Sequence, residues 1–243
     1  MAHGFACMVC GSKLTYGEKA VQQECYYCNK ITISPISCPS GHFVCDSCHS
    51  SDALDLLRTM AEDSDMKDPR EIVEAAFSHP SFKFHGPEHH SLVPAAILLA
   101  MKNQGVPKID GEEITSQDIL EGIRRGSKIP GGFCGYAGSC GACVGAGIAV
   151  AIFLTSTPTK GPERSSAHSV TIDAMGRVQD ELIRCCKRST LYGIAAAMDY
   201  LEKQHDIHLG EIPQPRSCTN WERNRDCATE ECIFYGGDAI RQS

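Results

Sequence analysis

No stretch of this sequence is apolar for long enough to cross a bilayer. The longest such run, roughly Val144 to Leu154, falls well short of the about 20 residues that a spanning helix needs. The amino terminus, MAHGFACMVCGSK, lacks the apolar core of a secretory signal. A soluble, cytoplasmic protein with no membrane partner is therefore expected. Basic charge is scarce as well. The 23 Lys and Arg residues stand against 30 Asp and Glu, giving a net charge of −7 and a pI near 5.8. That balance argues against a general nucleic-acid binder, which would present a basic face. The Gly-x-Ser-x-Gly elbow, the Walker loop and the dinucleotide fingerprint are also missing, so three large enzyme classes lose their usual signature.

What the chain has instead is cysteine. Fifteen occur in 243 residues, about 6%, which is below the roughly 8–10% of disulfide-built scaffolds. In a reducing compartment, clustered thiols point to metal, iron–sulfur or thiol chemistry. They fall into three groups, at residues 7–48, 134–143 and 185–232. Hydrophobic residues make up 42% and charged residues 22%. Both values are ordinary, so a sizeable core can form in one large domain or two smaller ones.

The first group reads CMVC, CYYC and CPSGHFVCDSCH. It supplies Cys7, Cys10, Cys25, Cys28, Cys38, His42, Cys45 and Cys48, enough for two tetrahedral sites. Three pairs have the C-x2-C spacing that lets one tight turn offer two sulfurs to one ion. The order resembles a RING-type cross-brace with its last pair supplied from the front. By that analogy Cys25, Cys28, Cys45 and Cys48 form one zinc site, and Cys7, Cys10, Cys38 and His42 the other, with His49 as an alternative ligand. Iron in one of the four-ligand sites is a minority option. So short a segment has too few large apolar groups to fold on burial alone, so metal binding would supply much of its folding free energy. A cross-brace does not by itself imply ubiquitin chemistry.

The rest reads as helices. SSDALDLLRTMAE has Ser51 as a candidate cap, and DPREIVEAAFS has Asp68 as cap with Pro69 at its first position. SHPSFKFHGP is a loop, in which His79 reads as structural. EHHSLVPAAILLAMKNQG is apolar nearly all round and so buried, with Pro94 inside it and Gly105 at its end. TSQDILEGIRRG has Ser116 as cap and Gly126 as stop. A small-residue helix is expected from about Gly141 to Leu154. TSTPTKGPERSS reads as a loop, followed by helices from about Ala167 to Arg184 and from Thr190 to Gln204. The expected fold is mainly α. A cross-brace-like zinc knuckle (residues 1–52) precedes a helical domain (53–243) that carries a Gly/Cys loop (128–147) and an irregular cysteine-rich tail (210–236).

In PGGFCGYAGSCGACVGAG, a helix N-terminus near Cys140 offers free N–H groups and a positive dipole end, which favour thiolate over thiol. Cys134, Cys140 and Cys143 are thus candidate reactive thiols. The competing reading is close helix packing by the glycines and alanines, with Cys143 as a small core residue. His85, His89 and His90 offer metal ligands or proton carriers, or else capping and core histidines. RCCKR sets Cys185 and Cys186 among Arg184, Lys187 and Arg188, where cations stabilise thiolates and anionic clusters. One of Cys185 and Cys186, with Cys218, Cys227 and Cys232, makes a four-cysteine set for a [4Fe–4S] cluster or zinc. The cluster is favoured because the tail has no C-x2-C knuckle.

Together these motifs carry a resemblance over nearly the full length. The chain resembles a family of unknown function from anaerobic archaea and bacteria. Its members combine a knuckle ending like GHFVCDSCH with HGPEHHSLVPA, PGGFCGYAGSCGA, RCCKR and a cysteine-bearing tail. Residues 88 to about 205 are more loosely similar to a family described as redox-active and named for its C-GCAxxG-C-C pattern. That similarity implies functional roles for Cys140 and for Cys185 or Cys186. The sequence departs from the pattern at EHHSLVP, where histidine stands in place of a cysteine that often opens the first core helix.

The expected function is a metal- or iron–sulfur-dependent redox or sulfur-handling role in anaerobic metabolism, as an oxidoreductase or sulfur transferase. A protein partner or a small anionic or sulfur-containing substrate fits this reading, and a homo-oligomer is compatible with it. Two alternatives stand beside it: an accessory protein that delivers metal, sulfur or a cluster to an enzyme, and a zinc-stabilised structural or regulatory module.

Overall fold

The computed structural model describes residues 7–45, 48–49 and 52–237. An antiparallel hairpin opens it, with β1 (Thr15–Glu24) pairing β2 (Ile31–Ser37) from Thr15↔Ser37 to Glu24↔Ile31. Nearly all of β1 is exposed, so the hairpin depends on the cysteine turns at its ends. Two of these turns share one backbone design. The amide of Gly11 bonds the Cys7 carbonyl at 2.8 Å, and that of Asn29 bonds the Cys25 carbonyl at 2.9 Å. Gly11 (φ 75°) and Asn29 (φ 56°) both adopt the left-handed conformation that glycine and asparagine tolerate best.

Eight helices follow among the described residues: α1 (Ala53–Asp63), α2 (Pro69–Ser78), α3 (Glu88–Gln104), α4 (Ser116–Ser127), the single turn α5 (Phe133–Tyr136), α6 (Gly141–Phe153), α7 (Gly161–Arg177) and α8 (Cys186–His205). The fold is mainly helical, with a small two-stranded sheet beside cysteine-rich turns at its N-terminal end. No helix of the described residues is long and apolar enough to cross a membrane.

Several boundaries differ from the sequence expectation. Ser51 lies outside the described residues, and Asp52 caps α1 by accepting from the amides of Leu54 and Asp55. Thr115, not Ser116, is the N-cap of α4, in a reciprocal capping box with Asp118. Gly126 does not stop that helix but lies buried inside it. The expected loop at 155–166 is half helix, since α7 begins at Gly161, with Pro162 fitting the first turn. It ends at Arg177, so the break before α8 spans 178–185 rather than RCCKR alone. The helix α3 continues through Pro94.

The core centres on α3, buried from His89 to Met101, and on α6, whose small residues admit close neighbours. A Cβ on Gly145 would meet the His90 carbonyl oxygen at 2.9 Å and Pro94 Cδ at 3.0 Å. Helices α4, α7 and α8 pack around this pair. The cysteine turns join the same core: Cys25, Tyr27, Cys28, Cys45 and Cys48 are buried in one cluster with Leu56, Leu57 and Ile72. Tyr27 Oη bonds Ser78 Oγ at 2.8 Å, and His79 Nε2 donates to the Cys48 carbonyl at 2.9 Å.

Candidate metal and thiol sites

Among the described residues, two groups of side chains could hold a metal ion. One is Cys7, Cys10, Cys38 and His42; the other is Cys25, Cys28, Cys45 and Cys48. In each group the ligand atoms all lie within 4.8 Å of one another. The interleaving, first pair with third and second with fourth, is that of a cross-brace. Cys10 and Cys38 sulfurs are 3.5 Å apart, and those of Cys28 and Cys45 are 3.8 Å apart. A disulfide would need about 2.05 Å, whereas a tetrahedron with metal–sulfur bonds of about 2.3 Å has edges near 3.8 Å. His42 turns Nδ1 toward Cys7 at 3.9 Å and Cys38 at 3.8 Å. His49 stands outside both groups.

The Gly/Cys loop and the histidines meet around a cavity of about 270 Å³, bordered by Cys134, Cys140, His85, His90, Arg184 and Cys186. Cys140 is the N-cap of α6. Its thiol is lowered to about 5, first by a hydrogen bond from the Cys143 thiol. The amides of Cys143 and Ala142 and the Ser189 hydroxyl add to this, and burial opposes it. Cys143 is fully buried, and the same bond together with burial raises its own thiol. It therefore packs the core, as the small-residue pattern suggested, and also supplies a proton donor to Cys140. Cys134 is exposed at the rim.

The three histidines part company. His90 is 7% exposed, and its Nδ1 donates to the Ile129 carbonyl at 3.0 Å. The ring is seated against Gly141, where a Cβ would come within 2.4 Å of it. His85 Nε2 lies 3.1 Å from Asp226 Oδ2, and its buried Nδ1 has no partner within the protein. His89 also lines this cavity. It is fully buried, its Nε2 donates to the Lys83 carbonyl at 2.7 Å, and its Nδ1 faces the Thr190 hydroxyl at 3.1 Å. Burial lowers its ring to about 3, so it stays neutral near pH 7.

A second, narrower cavity gathers Cys185, Cys218, Cys227 and Cys232. Sequence alone left Cys185 and Cys186 equivalent here. Cys185 faces the tail cysteines, and Cys186 faces Cys140 instead. Amides point at these sulfurs: those of Arg188 and Lys187 at Cys185, that of Asn220 at Cys218, and that of Thr229 at Cys227 at 3.4 Å. A parallel bridge between Cys218 and Tyr235 closes the tail. Lys187 is 3% exposed, donates to the Phe77 carbonyl at 3.0 Å and lies 4.2 Å from the Phe77 ring centroid. Arg188 pairs with Asp180 at 2.8 Å. RCCKR thus splits, with Arg184 and Cys186 on the first cavity and Cys185, Lys187 and Arg188 on the second.

Sequence reasoning passed over Ser189, Asn224 and Asp226. Ser189 follows Cys186 by three residues on α8, the one signal that would have placed it near Cys140. Asn224 Nδ2, 3.9 Å from Cys185 Sγ, carried no signal in its spacing.

Comparison with curated proteins and with solved structures gives no significant match. A family model described as a family of unknown function, DUF5714, matches residues 57–235. That span holds both cavities and leaves the two N-terminal metal groups outside. The chain belongs to this family of unknown function, DUF5714.

Proposed function

We propose that this protein carries out thiol-based redox or sulfur-handling chemistry in the cavity at the start of α6, supported by bound metal elsewhere in the chain. The observation that carries this reading is the placement of Cys140. Its sulfur is held as a thiolate by a helix N-terminus and a neighbouring thiol, and it borders a cavity that also presents His90, Cys186 and Arg184. A stabilised thiolate opening onto a cavity is the arrangement of a nucleophilic cysteine. Arg184 suits an anionic substrate.

Zinc is the metal we assign to the two N-terminal groups, because closed four-ligand Cys/His sites of this spacing suit it. For Cys185, Cys218, Cys227 and Cys232 we propose a [4Fe–4S] cluster. Unlike the N-terminal groups, these sulfurs do not gather within 4.8 Å of one another. A single zinc would draw them to about 3.8 Å, whereas a cluster spreads the four thiolates over separate iron atoms. The amides aimed at the sulfurs and the buried Lys187 ammonium complement an anionic group.

Anaerobic purification with metal and sulfide analysis, and alkylation mapped by mass spectrometry near pH 6, test both parts. Cys140 should be alkylated before the exposed Cys134. Iron and sulfide should be present at about four each per chain and be lost in a Cys218→Ala, Cys227→Ala variant. A colourless protein holding only zinc after anaerobic reconstitution would overturn the cluster assignment. A Cys140 no more reactive than Cys134 would overturn the thiol site.

A second reading, delivery of sulfur or metal to a partner protein, is favoured by the rim of the cavity. Tyr136 is 94% exposed there, beside Cys134 and a partly exposed Phe133. Co-purification with one enzyme, and turnover only in its presence, would select it.

A further inference from the structure

Cys185 and Cys186 are consecutive in the chain, yet they border different cavities. Cys185 is the extended N-cap of α8 (φ −137°, ψ 108°) and Cys186 is the first helical residue, so the chain turns between them. A second junction repeats the arrangement. Asp226 bonds His85 on the side of Cys140, and Cys227, the next residue, borders the narrower cavity.

Ser189, three residues after Cys186 on α8, borders the same cavity as Cys140 and adds to the lowering of its thiol. Residues three apart on a helix have Cβ atoms about 5–6 Å apart on one face. Cys186 and Ser189 therefore share one helix face, and both border the cavity that Cys140 borders.

We propose that Cys140 and Cys186 form a redox-active dithiol–disulfide pair that receives electrons through an iron–sulfur cluster on Cys185, Cys218, Cys227 and Cys232. The inference rests on the readings of Cys140 and of the four-cysteine set given above. In the reductive half-reaction the S–S bond breaks, and two electrons and one proton give the Cys140 thiolate and the Cys186 thiol. The electrons come singly from a low-potential one-electron donor, which is oxidised. In the oxidative half-reaction the Cys140 thiolate attacks a disulfide formed from an anionic thiol. A mixed disulfide forms and one thiolate leaves. Cys186 then displaces the second thiol from Cys140, which carries off the Cys186 proton, and the Cys140–Cys186 bond is restored.

The test uses the full chain, reconstituted with iron and sulfide under anaerobic conditions and oxidised with one equivalent of diamide. After free thiols are blocked, peptide mapping should find an intramolecular Cys140–Cys186 link. Reduced methyl viologen should reopen it faster, by about tenfold or more, than in the Cys227→Ala variant or in wild-type protein before reconstitution. Tris(2-carboxyethyl)phosphine, which needs no cluster, should reopen it at similar rates in all three. Cys186→Ser should keep the visible absorption of the cluster and form no link at Cys140. A link at other cysteines, or equal viologen rates with and without the cluster, overturns the proposal. Failure of Cys140 to show preferential alkylation, or of iron to bind at all, would overturn the underlying reading and the proposal with it.

Discussion

The thiol of Cys143, buried in the first turn of α6, lowers that of Cys140 at the N-cap of the same helix and is itself raised. With the amides of Cys143 and Ala142 and the Ser189 hydroxyl, it brings the Cys140 thiol from the ordinary 9.0 to about 5. For an acid lowered in the folded state, the stabilising contribution is present above the ordinary thiol range and is lost as pH falls through about 5. His90 from α3, His85 from the preceding loop, and Arg184 and Cys186 at the start of α8 face the same cavity. Iodoacetamide should therefore react with Cys140 at a nearly constant rate down to about pH 6 and more slowly below. Cys143→Ala removes the donor and should move the midpoint up by about one unit or more, while Cys143→Ser should move it less.

The two N-terminal metal groups differ in what they support. The sulfurs of Cys25, Cys28, Cys45 and Cys48 are buried in the same core as α1 and α2, whereas Cys10 is exposed. Cys28→Ala and Cys10→Ala should each remove one zinc per chain by elemental analysis. Thermal unfolding followed by helical circular dichroism should drop sharply for Cys28→Ala, because loss of a buried metal group opens the Tyr27–Ser78 and His79–Cys48 contacts. For Cys10→Ala it should move little.

His90 is held between two glycines. A Cβ on Gly126 would come within 2.4 Å of the His90 carbonyl oxygen, and one on Gly141 within 2.4 Å of its ring. Alanine normally stabilises a helix over glycine by about 0.5–1 kcal/mol, but here it meets backbone or a seated ring. Gly126→Ala should therefore destabilise by about 1–3 kcal/mol. Gly176→Ala, in α7 with nothing within 4 Å of the added atom, should stabilise by about 0.4–1 kcal/mol. Denaturant titration of both variants checks the reversal of sign.

Lys187 brings a buried ammonium to the wall of the narrower cavity, with Glu74 on the same wall. Replacing it with methionine keeps the volume and removes the charge. Lys187→Met should speed the loss of iron to a chelator about 10–100-fold and leave the zinc content unchanged. Unchanged iron retention would mean that the ammonium serves packing alone.

Much of this was legible from local pattern. Asp68 with Pro69, and Gly105 at φ 72°, mark helix ends in sequence because capping is a matter of adjacent residues. The C-x2-C pairs were likewise readable, since such turns present both sulfurs to one ion whatever surrounds them, and the grouping of the pairs followed from the likeness to a cross-brace. Boundaries failed where two local signals competed. Ser116 and Thr115 are both good caps, and the box with Asp118 decided for Thr115. Gly126 reads as a stop in sequence, yet its missing side chain serves the close approach of α3.

The sequence by itself determined a mainly helical chain, C-x2-C pairs at its N-terminal end, a cysteine at the start of α6 and an α3 apolar enough to be buried. Each of these depends on interactions within a turn or two of the chain. Only the tertiary structure decided that His89 is spent on Lys83 and Thr190, that Ser189 meets Cys140, and that Cys185 and Cys186 serve different cavities. Those outcomes depend on where α8 and the tail dock against α3 and α6. Docking is set by burial over the whole surface, which the spacing of neighbouring residues does not encode.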